Sequence, residues 1–153
     1  SYCWVDVWAF ERQLQRLEQA CHEQQSAGIA VSLERLFTSY ASGFLAADSD
    51  AAWTQATRER LRGKLLRQTE AVTRILAETQ QHDAAIRCYR AALEIEPLAE
   101  ALYCGLMQCY AATGRNADAL STYERCRRIF NEQLGVLPSP HTVALAQQFK
   151  SNQ

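Results

Sequence analysis

The sequence has almost no net charge, since 16 basic and 17 acidic residues leave −1. That balance lacks the one-sided positive field of a free-standing nucleic-acid binder. Lysine is nearly missing: only Lys64 and Lys150 occur, and arginine supplies the other cations. No apolar run approaches the roughly 20 residues of a membrane-spanning helix, and no signal-peptide pattern opens the chain. A cytoplasmic protein without a membrane partner is expected. Cys-x-x-Cys is absent, and the six cysteines do not cluster with the three histidines, so no metal site follows. Cys88, Cys104, Cys109 and Cys126 fall in predicted helices and serve as small, reduced, apolar residues. A glycine-rich phosphate loop, His-Glu-x-x-His and Gly-x-Ser-x-Gly are all lacking. His22, His82 and His141 lie near predicted helix ends, and Glu94 and Glu96 lie on a solvated helix end. Neither an enzyme nor a cofactor is expected.

What is present is a repeat between residues 69 and 126. Ala85 recurs as Ala119, Tyr89 as Tyr123 and Ala92 as Cys126, each 34 residues later, as do Val72 as Leu106 and Leu76 as Tyr110. A period of 34 belongs to the tetratricopeptide (TPR) repeat, a pair of antiparallel helices. Its second helix needs a small, then an aromatic, then a small residue on one face, where the neighbouring helix passes close. Ala85–Tyr89–Ala92 and Ala119–Tyr123–Cys126 meet that need. Pro97 closes the first repeat, and Gly114 sits at the turn of the second.

Tyr2–Val5 is expected as a strand stub, with Asp6 capping a helix whose apolar face is Val7, Phe10, Leu14, Leu17 and Cys21. After Ser26-Ala27-Gly28 a second helix, 29–41, carries Ile29, Leu33, Leu36, Phe37 and Tyr40, ending at Gly43 with Phe44 and Leu45 packing back. Ser49 or Asp50 caps a helix of 50–80 whose buried side is marked by Trp53, Ala56, Leu61, Leu65, Val72 and Leu76, with Gly63 its weak point. His82 and Asp83 make a turn, and helices follow at 83–95, 98–113 and 116–133. Gly135 is placed for positive φ. Ser139-Pro140 opens a last helix through Phe149 that covers the open end of the stack. The expected fold is an all-α, TPR-like helical-hairpin solenoid of about seven helices with a C-terminal capping helix. It forms one domain over 1–153, with repeats at 66–99 and 100–133, a divergent helix pair at 6–45 and the capping helix at 139–149. Ser1 in place of methionine suggests a piece of a longer regulator.

Three stretches invite a partner. Arg58, Arg60, Arg62, Lys64 and Arg67 form a basic run, but Glu59 and Glu70 interrupt it and no aromatic is interleaved for base stacking. It is expected to be a solvated or partner-facing charged face. Tyr2, Trp4 and Trp8 crowd three large aromatics at one end, either as core or as a surface that another domain covers. The concave side of a TPR stack would carry Arg67, Glu70, Arg74 and Glu78 from one repeat and Ala101, Cys104, Gln108 and Ala111 from the next. Such a surface suits a segment with a mixed face. Internal Arg67–Glu70 and Arg74–Glu78 pairing, worth a few tenths of a kcal/mol, is the alternative.

Leu134-Gly135-Val136-Leu137-Pro138-Ser139-Pro140, following a TPR-like helix, resembles the bacterial transcriptional activator domain (BTAD) of Streptomyces antibiotic regulatory protein-type and related large activators. Val5-Asp6 with Phe10, Phe44-Leu45, Trp53 before Arg58-Glu59-Arg60-Leu61 and Pro97-Leu98 with Glu100 also fit, as do Leu106-Met107, Gly114-Arg115 and Ala119-Leu120 with Tyr123. The resemblance covers nearly the whole chain. One departure is at Tyr40-Ala41-Ser42-Gly43, where the family places its glycine one residue nearer the tyrosine. The resemblance implies a regulatory, protein-contacting role beside a winged-helix domain: docking that domain, forming a homodimer, or touching RNA polymerase. DNA would be reached only through the winged helix. A generic TPR peptide-binding adaptor is the rival. Chaperone-binding TPRs clamp a carboxylate with Lys and Asn, and the matching positions here are Glu70, Arg74, Cys104 and Gln108, so that clamp is absent.

Overall fold

The apolar spacing of α1 (Tyr2–His22) turns Val7, Phe10, Leu14, Leu17 and Cys21 to one buried side. The computed structural model describes residues 2–42 and 52–152, with side chains from Asp6 onward. The chain divides into two compact units, Ser1–Thr79 and Gln80–Gln153. Among the described residues there are seven helices and no strand. The fold is all-α, of the TPR-like helical-hairpin kind.

In the first unit α1 packs against α2 (Ile29–Ala41) and α3 (Ala52–Glu78), and α2 packs against α3. Leu33, Leu36 and Phe37 of α2 and Leu61, Leu65, Val72 and Leu76 of α3 are all buried in this unit. Burying each such side chain stabilises by about 1.5–3 kcal/mol relative to leaving it exposed. Three expectations fail here. Tyr2–Val5 is helical rather than a strand stub, and Asp6 lies inside α1 rather than capping it. No glycine or proline separates those residues from the amphipathic stretch, so the helix runs through them, and weak propensity yields to that continuity. Trp53 is 41% exposed and Ala56 is exposed as well, because the buried stripe runs through Thr54, Leu61, Leu65, Thr69, Val72 and Leu76. Trp53 is rotated about 100° from Thr54 on the helix. Thr69 and Thr73 hide in the core because they donate their hydroxyls to the carbonyls of Leu65 and Thr69, at 2.9 and 2.6 Å. Gly43, Phe44, Leu45, Ser49 and Asp50 lie outside the described residues.

In the second unit α4 (His82–Ile95) packs on α5 (Glu100–Ala112), α5 on α6 (Asn116–Leu134), and α7 (Pro140–Ser151) caps α6 and α5. His82 and Asp83 are the first residues of α4 rather than a turn; the turn lies just before them, over Thr79, Gln80 and Gln81. Ala85, Ala92, Ala119 and Cys126 are fully buried, as the repeat requires, and Tyr89 and Tyr123 are half-buried. The close approach is at Gly105. A Cβ there would fall within the Tyr89 ring, 2.6 Å from Cε1 and nearer still to Cζ and Oη.

The turns before α4 and α6 repeat in conformation, although of their residues only the threonine, Thr79 and Thr113, recurs. Gln80 has φ 62° and Gly114 has φ 76°, both left-handed. Gln81 (φ −95°, ψ 59°) and Arg115 (φ −96°, ψ 59°) follow with nearly the same angles. Thr79 and Thr113 each donate a hydroxyl to the carbonyl four residues back, Ile75 at 2.8 Å and Cys109 at 3.2 Å. At the second turn Gly114 N–H donates to Ala111 O and Arg115 N–H to Tyr110 O, the paired bonds of a Schellman end. Arg115 then lies 4.7 Å from the Tyr110 ring centre and bonds Asp118.

These backbone positions give four stability predictions. Gly105→Ala should cost about 1–3 kcal/mol by overpacking. Gly63→Ala should gain about 1 kcal/mol from helix propensity, since its new Cβ would touch only Arg67 Nη1 at 3.6 Å. In the turns, Gly114→Gln should cost about 1 kcal/mol and Gln80→Gly should gain up to about that much, because only one of the two left-handed positions has glycine. Urea unfolding of the four variants checks both the signs and the sizes.

Candidate protein-interaction surfaces

α1 presents the aromatic end. Trp8 follows the buried Val7 by one residue, which turns it out of the core, and it is 70% exposed. Tyr2 and Trp4 belong to the first turns of the same helix; their side chains lie outside the described residues. Of the two readings of Trp8, core packing is therefore the one that fails. A tryptophan left this open places a large rigid apolar surface in water.

On α3, Arg67, Glu70, Arg74 and Glu78 are all exposed. Neither Arg67–Glu70 nor Arg74–Glu78 forms an ion pair among the described residues. Arg67 stands beside a depression of about 240 Å³ between α1 and α3, lined also by Glu11, Glu18, Lys64 and Gln68. The basic run is largely used within this unit. Arg60 and Lys64 converge on Glu11 of α1, and Arg58 lies 5.3 Å from the Tyr40 ring centre on α2.

On α5, Gln108 and Ala101 are exposed and Ala111 is half-buried. Cys104 is half-buried and shares a 3.2 Å hydrogen bond with the Thr142 hydroxyl of α7. Burial raises its thiol pKa, against a lowering by that hydrogen bond, so Cys104 stays protonated at neutral pH. One turn earlier Glu100 ties α5 to the start of α7. Its Oε1 accepts from Ser139 N–H at 2.7 Å and from the Thr142 hydroxyl. Ser139 Oγ in turn accepts from Thr142 N–H, with Pro140 at the first helical position. Burial pushes the Glu100 pKa up, but the bonds from Thr142 and Ser139, with the His141 charge, outweigh it and leave the carboxyl below its usual range. Arg67, Glu70 and Arg74 thus share one helix of the first unit, and Cys104 and Gln108 one helix of the second.

A family model described as bacterial transcriptional activator domain matches residues 5–150. The chain belongs to that family. It is accordingly a regulatory domain of bacterial transcriptional activators. Among solved structures it is similar to Mycobacterium tuberculosis EmbR in complex with a low affinity phosphopeptide, with a TM-score of 0.69 and 21% identity. That alignment covers 97% of this chain and 39% of the EmbR chain, and at that identity it shows the shared fold. No curated protein matches. Among the described residues no helix is long and apolar enough to cross a membrane.

The Glu100 contact in this BTAD makes a pH prediction. Its carboxyl is depressed in the folded state, so its stabilising effect is complete above the unfolded carboxylate pKa, about 4.3. The effect is lost as pH falls through the lower folded value. The stability difference between the native chain and Glu100→Gln should therefore be constant near neutrality and shrink below about pH 4. Urea midpoints measured along a pH series check it.

Proposed function

We propose that this chain is the protein-contacting module of a bacterial DNA-binding activator. It works in the cytoplasm, without catalysis or a cofactor, as one domain built on repeats at 66–99 and 100–133. It reaches DNA only through a winged-helix domain of a longer parent protein. The observation that carries this reading is Trp8, 70% exposed on α1. With Tyr2 and Trp4 on the same helix it offers an aromatic anchor of the kind that dominates protein interfaces. The winged-helix domain is its proposed occupant. The family match supplies the regulatory setting. The near-zero net charge supports indirect contact with DNA. Arg67, Glu70 and Arg74 on α3 of the first unit, and separately Cys104 and Gln108 on α5 of the second, are each proposed to meet RNA polymerase or a second copy.

In the full parent protein, Trp8→Ala should keep the helical content and lower reporter activation about tenfold or more, as loss of an interface tryptophan does. Arg74→Glu with Gln108→Glu should lower activation while promoter binding persists. The isolated chain should give no sequence-selective shift of duplex DNA. Full activation by the Trp8 variant removes the docking role of α1, full activation by the double variant removes the partner roles of Arg74 and Gln108, and a selective shift by the isolated chain overturns indirect DNA contact.

A further inference from the structure

Within the first unit an open groove of about 790 Å³ runs along the α1–α2 hairpin. From α1 it is lined by Gln13, Arg16 and Leu17, and from α2 by Val31, Ser32 and Arg35. Those positions recur at three- and four-residue steps, so each wall is one face of a helix. Arg16 and Arg35 stand on opposite walls and both are exposed. Among the described residues neither guanidinium has a carboxylate within ion-pair distance, whereas Arg60, Arg115, Arg125 and Arg127 all do. Glu34 is the carboxylate that lines the groove. α2 also starts at the groove without a side-chain cap, because its N-cap is Gly28 in the left-handed region. The open first-turn N–H groups add positive potential there. Two cations facing one groove repel each other, and an anion laid between them would relieve that repulsion.

We propose that this groove binds an acidic peptide segment of a partner protein, with carboxylates set against Arg16 and Arg35 and an apolar residue against Val31. The length favours a chain over a lone ion: the 13 residues of α2 make a wall roughly 20 Å long at about 1.5 Å per residue. Val31 is an exposed large apolar side chain on the wall, and Leu17, which also lines the groove, is buried. A peptide side chain can use that apolar contact, while a phosphodiester backbone cannot. Among the described residues no aromatic lines the groove for base stacking. The surface is separate from those under the proposed function, so its failure leaves that reading intact.

The test uses the 153-residue chain and a fluorescently labelled peptide of repeated Glu-Glu-Leu, followed by anisotropy at low salt. A Lys-Lys-Leu peptide and an oligothymidylate are the controls. Binding of the acidic peptide, weakened about tenfold or more by Arg16→Glu with Arg35→Glu, is the expected result. Arg127→Glu with Arg128→Glu changes the net charge equally on exposed positions of α6 and should leave binding nearly unchanged. Melting followed by circular dichroism checks that each variant folds, and Arg16→Gln with Arg35→Gln should give a smaller loss. Absence of binding, equal loss in both charge-reversed pairs, or tighter oligothymidylate binding through Arg16 and Arg35 would each overturn the proposal.

Discussion

Tyr89 occupies the space that a side chain at position 105 would need. Because residue 105 is glycine, α5 can approach α4 with the tyrosine ring laid against its backbone. Ala85 and Ala92 flank that ring on α4 and are fully buried, as a close helix contact requires. The rest of the second unit is built outward from this contact. α6 packs on the other side of α5 with its own Ala119 and Cys126 fully buried, and α7 closes the unit against α6 and α5. Tyr103 shows the same economy: it is buried in α5, places its ring edge-on to Phe130 of α6, and donates its hydroxyl to Pro97 O at 2.7 Å.

The repeat was legible in the sequence because it is written in small and aromatic residues at a fixed period. Its conformational half was not. Gln80 and Gly114 hold the same left-handed turn, and Thr79 and Thr113 make the same hydroxyl bonds. Only the second turn carries glycine, the residue that advertises positive φ. Thr69 and Thr73 were also hidden, because a polar residue on a helix reads as surface until its hydroxyl is seen bonding within its own helix; Thr54 is buried without such a bond. That is why Trp53 and Ala56, one step off the stripe, read as core. The strand stub failed for the opposite reason. Aromatic and β-branched residues at Tyr2–Val5 suggested extended chain, but helix continuity with Val7 and Phe10 decides the local conformation.

Of the surfaces, composition could place Tyr2, Trp4 and Trp8 at one end of the chain but could not decide whether they face in or out. The 100° step between neighbouring helical residues decides it for Trp8, since Val7 takes the core position. Glu100 is the residue whose role sequence reading could least supply. Its contact with Thr142 spans 42 positions, and no local pattern links a carboxylate at the start of one helix to the cap of another. The Ser139-Pro140 cap was visible. The acceptor for the Ser139 N–H, two helices earlier in the chain, was not. Cys104 changes character for the same reason: α7 comes within hydrogen-bonding distance of it and turns a small groove residue into part of a helix junction.

The arginines divide by whether their charge is met within the fold. Arg60 and Lys64 share Glu11, and Arg58 lies over Tyr40, so the densest basic run in the sequence becomes a seam joining three helices. Exposed pairs of this kind contribute about 0–1 kcal/mol each and are screened beyond about 8 Å in physiological salt. Their effect is thus to orient α3 on α1 more than to stabilise it. The seam also gives Arg58, Arg60 and Lys64, members of the cluster that most resembled a phosphate-binding face, partners within the fold while they stay at the surface. The positive charge left unmet lies at scattered places, among them Arg16, Arg35, Arg67 and Arg74, in a chain of nearly zero net charge. Scattered cations of that kind cannot build the continuous field that long nucleic-acid contacts need. They can each meet a single carboxylate with good geometry. For a regulatory domain, that charge distribution is better matched to other proteins than to DNA.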